Sequence, residues 1–451
     1  MNPLQLPKQK SHSLKQTYTR VLNNPPRDKS LTHRALLFAA LAKGQSFIHF
    51  PLIAQDTLAT MHSLKTLGLK VIKRKYHIQV MGNPDAFSQA KDLKLNCQNS
   101  GTTIRHLLAL LAGSKGRITL TGDKSLRTRP MGRILEPLKQ WGAKFQTPLK
   151  ARQTLPITID QAPILTGGVH VLKTASAQVK SALLFYALLY QKKIQLKGKL
   201  QSRNHTENFL RYLQIPFKSK NNTLQLLVPT SVPSFTTTIP ADPSSTIYYL
   251  FLFNFAQNTS RKLLMAHHYY NITRCYSWIV LRKSGYSLDF IKDLVQNSVE
   301  TTGTLGFELT SQKKQGIHLS SQHTSFVIDD IPLLMIWSLW LSTPSTFKNL
   351  SELQFKESNR LLEIQKIFDC FGLSKQFQQK NHCVTIRPLN KKVAQKIKWK
   401  KEYTSTDHRM LMVYHCLLIL SGNRRKLNSQ EKKIIRVSNP QWESDLETIL
   451  N

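Results

Sequence analysis

Acid is what this chain most lacks. In 451 residues, 25 Asp and Glu stand against 64 Lys and Arg, a formal net charge of +39, and no acidic residue precedes Asp28. Such a field draws anions of every kind, and it makes nucleic acid the partner class to test. Net charge speaks to solubility and association rather than to fold or chemistry, so the surplus is read as a lysine-rich surface and nucleic acid is not an expected partner. Cysteine is scarce too. The five, Cys97, Cys275, Cys370, Cys383 and Cys416, are odd in number and none stands at Cys-x-x-Cys spacing. That argues against a disulfide framework and a structural zinc site, and fits a reducing cytoplasm. Long apolar runs are also missing. The longest, near Thr246–Ala256, Ile331–Leu341 and Met410–Leu420, fall short of the ~20 residues that span a bilayer. They predict buried helices and no membrane partner. The basic stretch Met1–Tyr18 has no apolar h-region and no small-residue cleavage site, so it is read as a leader into a first strand near Tyr18–Leu22.

What is present is a repeat. Hydrophobic residues make up 41% of the chain, enough for two or three cored domains. Six small polar clusters, around Ser30, Ser100, Ser176, Ser244, Asp330 and Asp407, each precede an apolar run of helical length. Ser and Asp there predict N-caps. A second helix follows in each of the first five units, ending at Leu64–Gly68, Leu138–Gly142, Leu210–Gln214, Leu281–Gly285 and Phe368–Gly372; Gly at four of these fits a left-handed C-cap. The sixth copy would end in Asp445–Leu450. Short β-like runs such as Ile118–Thr121, Leu224–Val228 and Cys383–Ile386 lie between. Two helices and several strands per unit predict a closed α/β architecture. Six helix starts could then converge, and helix starts suit phosphate and carboxylate.

Cations gather at those starts. Lys29 lies just before a helix, Ser30 can cap it, and Arg34 follows one turn in. Gly101 would let backbone approach a ligand closely. Arg129 precedes Pro130, which holds it in extended backbone. Gln178 follows Ser176 at an otherwise apolar helix start. Arg203 sits beside His205, which is read as a structural hydrogen-bonder. In Asp329-Asp330, Asp330 is expected to cap and Asp329 to accept a proton from a substrate hydroxyl. Lys356 and Arg360 would share a helix face at i, i+4, with Glu357 beside them. Arg409 stands in a first turn, where a cation is unfavourable without an anionic ligand.

In order and spacing these segments resemble one family, the 5-enolpyruvylshikimate-3-phosphate synthases (3-phosphoshikimate 1-carboxyvinyltransferases). The resemblance rests on DKSLTHRALL (28–37), NSGTTIR (99–105), LTGDKSLRTRPMGR (120–133), SAQVKSALL (176–184), SRNHTE (202–207), PADPSST (240–246), NITR (271–274), IDDIP (328–332), KESNR (356–360) and DHR (407–409). It implies a two-domain inside-out α/β barrel, each domain three βαβαββ repeats. The first domain would span 29–242 and the second 1–28 plus 243–451, with the active site in the cleft between. It implies transfer of the enolpyruvyl group of phosphoenolpyruvate to the 5-hydroxyl of shikimate 3-phosphate, by a cytoplasmic monomer that needs no cofactor or metal. By the same resemblance, Lys29, Ser30, Arg34, Ser176, Gln178, Arg203, Asp329 and Lys356 would bind shikimate 3-phosphate. Lys29, Gly101, Arg129, Gln178, Arg360 and Arg409 would hold phosphoenolpyruvate. Asp329 would take the hydroxyl proton, and Glu357 or Lys29 would move the proton at the methylene carbon. Arg27 and Ala241 stand where the family has Gly, and Asn204 and Asn359 where it has acids. The sister UDP-N-acetylglucosamine enolpyruvyl transferases typically carry a Cys in the loop matching Gly122–Arg129, and none is present here. The competing class is a basic polyanion-binding protein on a degenerate scaffold of this kind, motivated by the net charge and the lysine-rich stretch 391–401.

Overall fold

The computed structural model describes residues 19–148, 153–161, 164–227, 231–255, 260–390, 397–423 and 425–450. The leader, and most of the lysine-rich stretch at 391–401, lie outside these residues, as do Val228 and Ala256. The first strand is Thr19–Leu22.

Each unit builds its sheet in one way. The strand Leu93–Asn96, helix Gly101–Leu110, strand Ile118–Thr121, helix Gly132–Gln140 and strands Lys144–Gln146 and Ile157–Asp160 follow in chain order. The first two strands pair in parallel, because a helix carries the chain back between them. The last pairs antiparallel with the second, and the third takes the edge. The same strand order recurs in four four-stranded sheets and one five-stranded sheet. Two units borrow their first strand from a distance. Thr19–Leu22 pairs with Lys262–Tyr270, and Val232–Pro233 with Thr236–Thr238 pair with Ala42–His49. The sixth unit differs from the expectation: its described residues form the helices His408–Leu420, Ser429–Ile435 and Trp442–Leu450 and no strand.

The third strand of each of these units, at one sheet edge, carries lysine: Lys70 and Lys73, Lys144, Lys218 and Lys220, Lys292, and Lys380. Charge on an unpaired edge opposes pairing with another chain. Part of the basic surplus therefore has a structural use that requires no polyanion.

The two helices of a unit have different tasks. Lys29–Leu41, Gly101–Leu110 and Ala177–Tyr190 are apolar on most faces, and their middles are wholly buried in one core. Pro243–Phe255, Ile331–Trp337 and His408–Leu420 do the same in a second core. A helix without a polar face has nowhere to go but inside; each Leu or Phe so buried contributes about 1.5–3 kcal/mol. The second helices, such as Gly132–Gln140 and His205–Tyr212, are amphipathic and cover these cores. Gly68, Gly142, Gly285 and Gly372 all adopt positive φ beyond their helix ends, and Gln214 does so too at φ 55°. The break in the glycine pattern is thus a substitution within a retained left-handed turn.

Two caps fall elsewhere than expected. Asp28, not Ser30, accepts from Leu31 N at 2.8 Å, so the first helix begins at Lys29. Asp242 accepts from Ser244 N at 2.9 Å. Asp330 stands at a helix start without capping it. Its backbone is helical, φ −98° and ψ −16°, and Pro332 offers no N–H.

The chain crosses between the cores at Pro26–Asp28 and Pro240–Asp242. The crossings run antiparallel and bond to each other, Asp28 N to Pro240 O at 2.8 Å and Asp242 N to Pro26 O at 2.7 Å. Arg27 and Ala241 are the bridge partners. Arg274 is buried between Asp28 and Asp242 and pairs with both. Two like carboxylates at a crossover are thereby tolerated, since the cation between them offsets their repulsion.

Candidate active site

Residues at or beside the starts of all six buried helices line one cavity of about 640 Å³. Lys29, Ser30 and Arg34 come from the first, Gly101 and Thr102 from the second, Ser176 and Gln178 from the third. Asp242, Asp329 and Arg409 come from the other three. Arg129, Arg203, Lys356 and Glu357 reach the same cavity from loops. All the candidate residues line it except Arg360.

Arg360 lies behind the wall, 1% exposed. Its Nε donates to Asp407 at 2.8 Å, Nη1 to Asp329 at 2.9 Å and Nη2 to Glu357 at 2.7 Å. The planar fork suits this, because one guanidinium can serve three carboxylates at fixed angles. Burial disfavours its charge, but Asp407, Glu357 and Asp329 outweigh that and hold its pKa well above the usual value.

Asp329 is the hub of the second half. Arg203 donates to it at 2.6 Å, Arg360 at 2.9 Å, and Lys356 Nζ stands 3.3 Å away. Lys356 and Arg360 thus meet on one Asp329 oxygen and not along a helix face, since the helix begins only at Arg360. Burial alone would raise the Asp329 pKa; Lys356, Arg203, Arg409 and Arg360 pull it well below the ordinary carboxylate range. Glu357 is held down in the same way against burial, by Arg360, Arg129, His408 and Lys29. Burial raises the neighbouring Asp330 instead. Two adjacent aspartates are therefore driven apart: Asp329 faces cations in the cavity, Asp330 is buried behind it. Burial lowers the Lys356 pKa, opposed by Asp329. Arg409 Nη1 donates to Ser244 O at 3.1 Å; burial lowers its pKa, and Asp329 leads the groups that raise it overall.

In the first half the guanidinium groups bond to neutral partners. Arg34 is 3% exposed and donates to Thr206, Ser181 and Ser30 O at 2.8, 2.8 and 3.0 Å. Burial lowers its pKa to about 10, so it stays charged at neutral pH. Ser176 caps its helix through Val179 N at 3.4 Å, and Gln178 donates to Thr102 at 2.9 Å. Arg129 donates to Asn99 at 2.6 Å, in extended backbone as expected. A Cβ added at Gly101 would stand 2.8 Å from an Arg105 nitrogen and 3.2 Å from one of Arg129. Glycine there is what lets two guanidinium groups close in.

His205 is wholly buried, bonded to Glu300 at 2.7 Å, and burial lowers its pKa to about 4 despite that partner. It is structural, as read from the sequence. Asn204 accepts from Asn271 and Thr273 at 2.8 and 2.9 Å, and Asn359 caps its helix through Leu362 N; both serve without an acid.

Three cavity or near-cavity groups were missed. Arg105 donates to Gln178 Oε1 at 2.6 Å; its signal was present, one turn beyond Gly101 as Arg34 is beyond Ser30. Asp407 was read only as a cap, yet it also orients Arg360. Asp56 bonds Lys29 at 2.8 Å, and nothing in its local sequence marks it.

Comparison with known proteins fits this geometry. The model of the EPSP synthase (3-phosphoshikimate 1-carboxyvinyltransferase) family matches residues 17–446. A 3-phosphoshikimate 1-carboxyvinyltransferase of Caldicellulosiruptor bescii is 33% identical over 351 residues, 77% of this chain and 79% of that one. One of Thermodesulfovibrio yellowstonii is 30% identical over 428 residues, 94% and 96% of the two chains. The solved EPSP synthase of Acinetobacter baumannii shares the fold, with TM-score 0.77 at 24% identity over 95% of each chain.

Proposed function

We propose how the cleft works from one premise: the chain belongs to the EPSP synthase (3-phosphoshikimate 1-carboxyvinyltransferase) family. It is a transferase of the shikimate pathway, in aromatic amino acid biosynthesis. It moves the enolpyruvyl group of phosphoenolpyruvate to the 5-hydroxyl of shikimate 3-phosphate and releases phosphate. No helix among the described residues is long and apolar enough to cross a membrane; the enzyme works in the cytoplasm, as a monomer.

The two domains are 29–242 and 1–28 with 243–451. The separate cores and the paired crossings support this division. Shikimate 3-phosphate binds to Lys29, Ser30, Arg34, Ser176, Gln178, Arg203, Asp329 and Lys356. Phosphoenolpyruvate takes Lys29, Gly101, Arg129, Gln178 and Arg409, with Arg360 turning from its carboxylates toward it. Two phosphates and two carboxylates require this many cations, and all but Arg360 face the cavity before the substrates arrive.

In the reaction, the methylene carbon of phosphoenolpyruvate gains a proton as the substrate oxygen bonds to the adjacent carbon. The hydroxyl proton passes to Asp329. The tetrahedral adduct then loses a methyl proton as its bond to the phosphate oxygen breaks, and phosphate leaves with the bonding electrons. Asp329 is suited to be the base because its cations keep it ionised. Glu357 is held ionised too, so at the first step the ammonium of Lys29 is the group with a proton to give. Glu357 is the better acceptor at the second.

The single observation that carries this reading is Asp329, bonded among Arg203, Arg360 and Lys356 where six helix starts meet. The test is phosphate release from purified protein. It is expected only when shikimate 3-phosphate and phosphoenolpyruvate are both supplied, with 5-enolpyruvylshikimate 3-phosphate formed in equal amount. Release without shikimate 3-phosphate, or none with both, refutes it.

A further inference from the structure

An acid facing a cavity built for anions needs a reason. Asp56 lines the cavity, is 6% exposed, and lies in the first turn of the helix Gln55–Thr66. Its Oδ2 accepts from Lys29 Nζ at 2.8 Å. Its Oδ1 is buried and accepts no hydrogen bond. Near two phosphates such a carboxylate costs binding energy, at a few ångströms on the order of 1 kcal/mol even in water-like surroundings.

The helix that carries Asp56 is fastened on both sides. Thr60, one turn on, bonds His33 of the first buried helix at 2.8 Å and Thr103 of the second at 2.7 Å. Thr103 in turn donates to Ser100, the cap of its own helix, at 2.7 Å. A chain of buried hydroxyls thus ties three helix starts together and fixes Asp56 relative to Lys29. The hydroxyl links in this chain are each paired and so rigidify what they join, while His33 Nε2 at its end has no partner among the described residues.

We propose that Asp56 is the positioning residue for Lys29. An ammonium has three N–H donors. Asp56 takes one and thereby aims the other two into the cavity, toward the substrates. The long, flexible lysine stem would otherwise leave the charge in place but the proton unaimed. The inference rests on Lys29 acting at the methylene carbon.

The test is steady-state kinetics on the full chain with Asp56→Asn, Asp56→Glu, Lys29→Ala and Lys29→Arg, each checked for a cooperative thermal transition. Misaiming a catalytic group by about 1 Å costs about 100-fold. Asp56→Asn is therefore expected to lower kcat about that much while both KM values stay within about threefold. Asp56→Glu, which keeps the charge, should recover part of it. Lys29→Arg combined with Asp56→Asn should lose no more than the worse single change, because the two act as one unit. Wild-type kcat in Asp56→Asn, or a loss confined to KM, overturns the proposal, as do fully additive losses. If Asp56→Asn does not fold, the kcat of Asp56→Glu and its additivity with Lys29→Arg decide on the same criteria. Should Lys29→Ala keep full activity, the role of Lys29 fails first; if Lys29→Ala is inactive while Asp56→Asn is not, only the positioning role fails.

Discussion

The two walls of the cleft are built from the same repeat but are chemically unlike. The first half brings Lys29, Ser30, Arg34, Gly101, Arg129, Ser176 and Gln178, with Asp56 as its acid at Lys29. The second brings Asp329, Glu357 and Asp407 meshed with Lys356, Arg360 and Arg409. One wall is a cradle of donors, suited to holding anions. The other is a charge network in which Asp329 pairs with three cations and Glu357 and Asp407 share Arg360, suited to moving a proton. Helix starts suffice for the cradle, since their N–H groups and caps come with the fold. The network needed side chains from separate units to meet.

If that division holds, damage to the second wall should fall on kcat and damage to the first on KM, with the Lys29–Asp56 pair as the exception because it moves a proton from the first wall. The largest effect is expected from Asp329→Asn, which keeps the shape and removes the base. A loss of about 10²–10⁴ in kcat, with KM changed only a few-fold and folding intact by circular dichroism, would sharpen the contrast. A loss in KM alone would break it. A middle effect is expected from Gly101→Ala. The added methyl presses on Arg105 and Arg129, so KM for phosphoenolpyruvate should rise roughly tenfold, about 1.4 kcal/mol, with kcat and KM for shikimate 3-phosphate little altered. The smallest is expected at the mouth, where Arg133 pairs with Glu352 across the two halves at 2.8 and 3.0 Å. Both are partly exposed, and such a pair contributes less than about 1 kcal/mol. Arg133→Gln should change kcat/KM less than about fivefold and reduce its sensitivity to added salt. A large loss there would mean that contact between the walls, and not their separate chemistry, controls the rate.

Much of this was legible in the chain. The six polar clusters mark the six buried helices, because an apolar helix must be buried and must also be started. The motifs carrying Lys29, Gly101, Arg129, Gln178, Asp329 and Arg409 point to a site because cations beside helix starts are costly without an anion. Asp330 was misread as a cap because the local pattern does not reveal that its backbone is already helical. Among the described residues the last unit shows helices and no strand, where the repeat led to an expectation of several.

Local sequence determined which segments are helix or strand, where helices begin, and which side chains stand at their starts. Those are short-range matters of periodicity, capping and backbone freedom. Only the tertiary structure decided that Lys29 meets Asp56, that Arg360 stands behind Asp329 with Asp407 and Glu357, and that Asp329 is ionised while burial raises Asp330. Such pairings join residues from separate repeats, and a carboxylate's charge depends on the burial and the neighbours that only the assembled fold supplies.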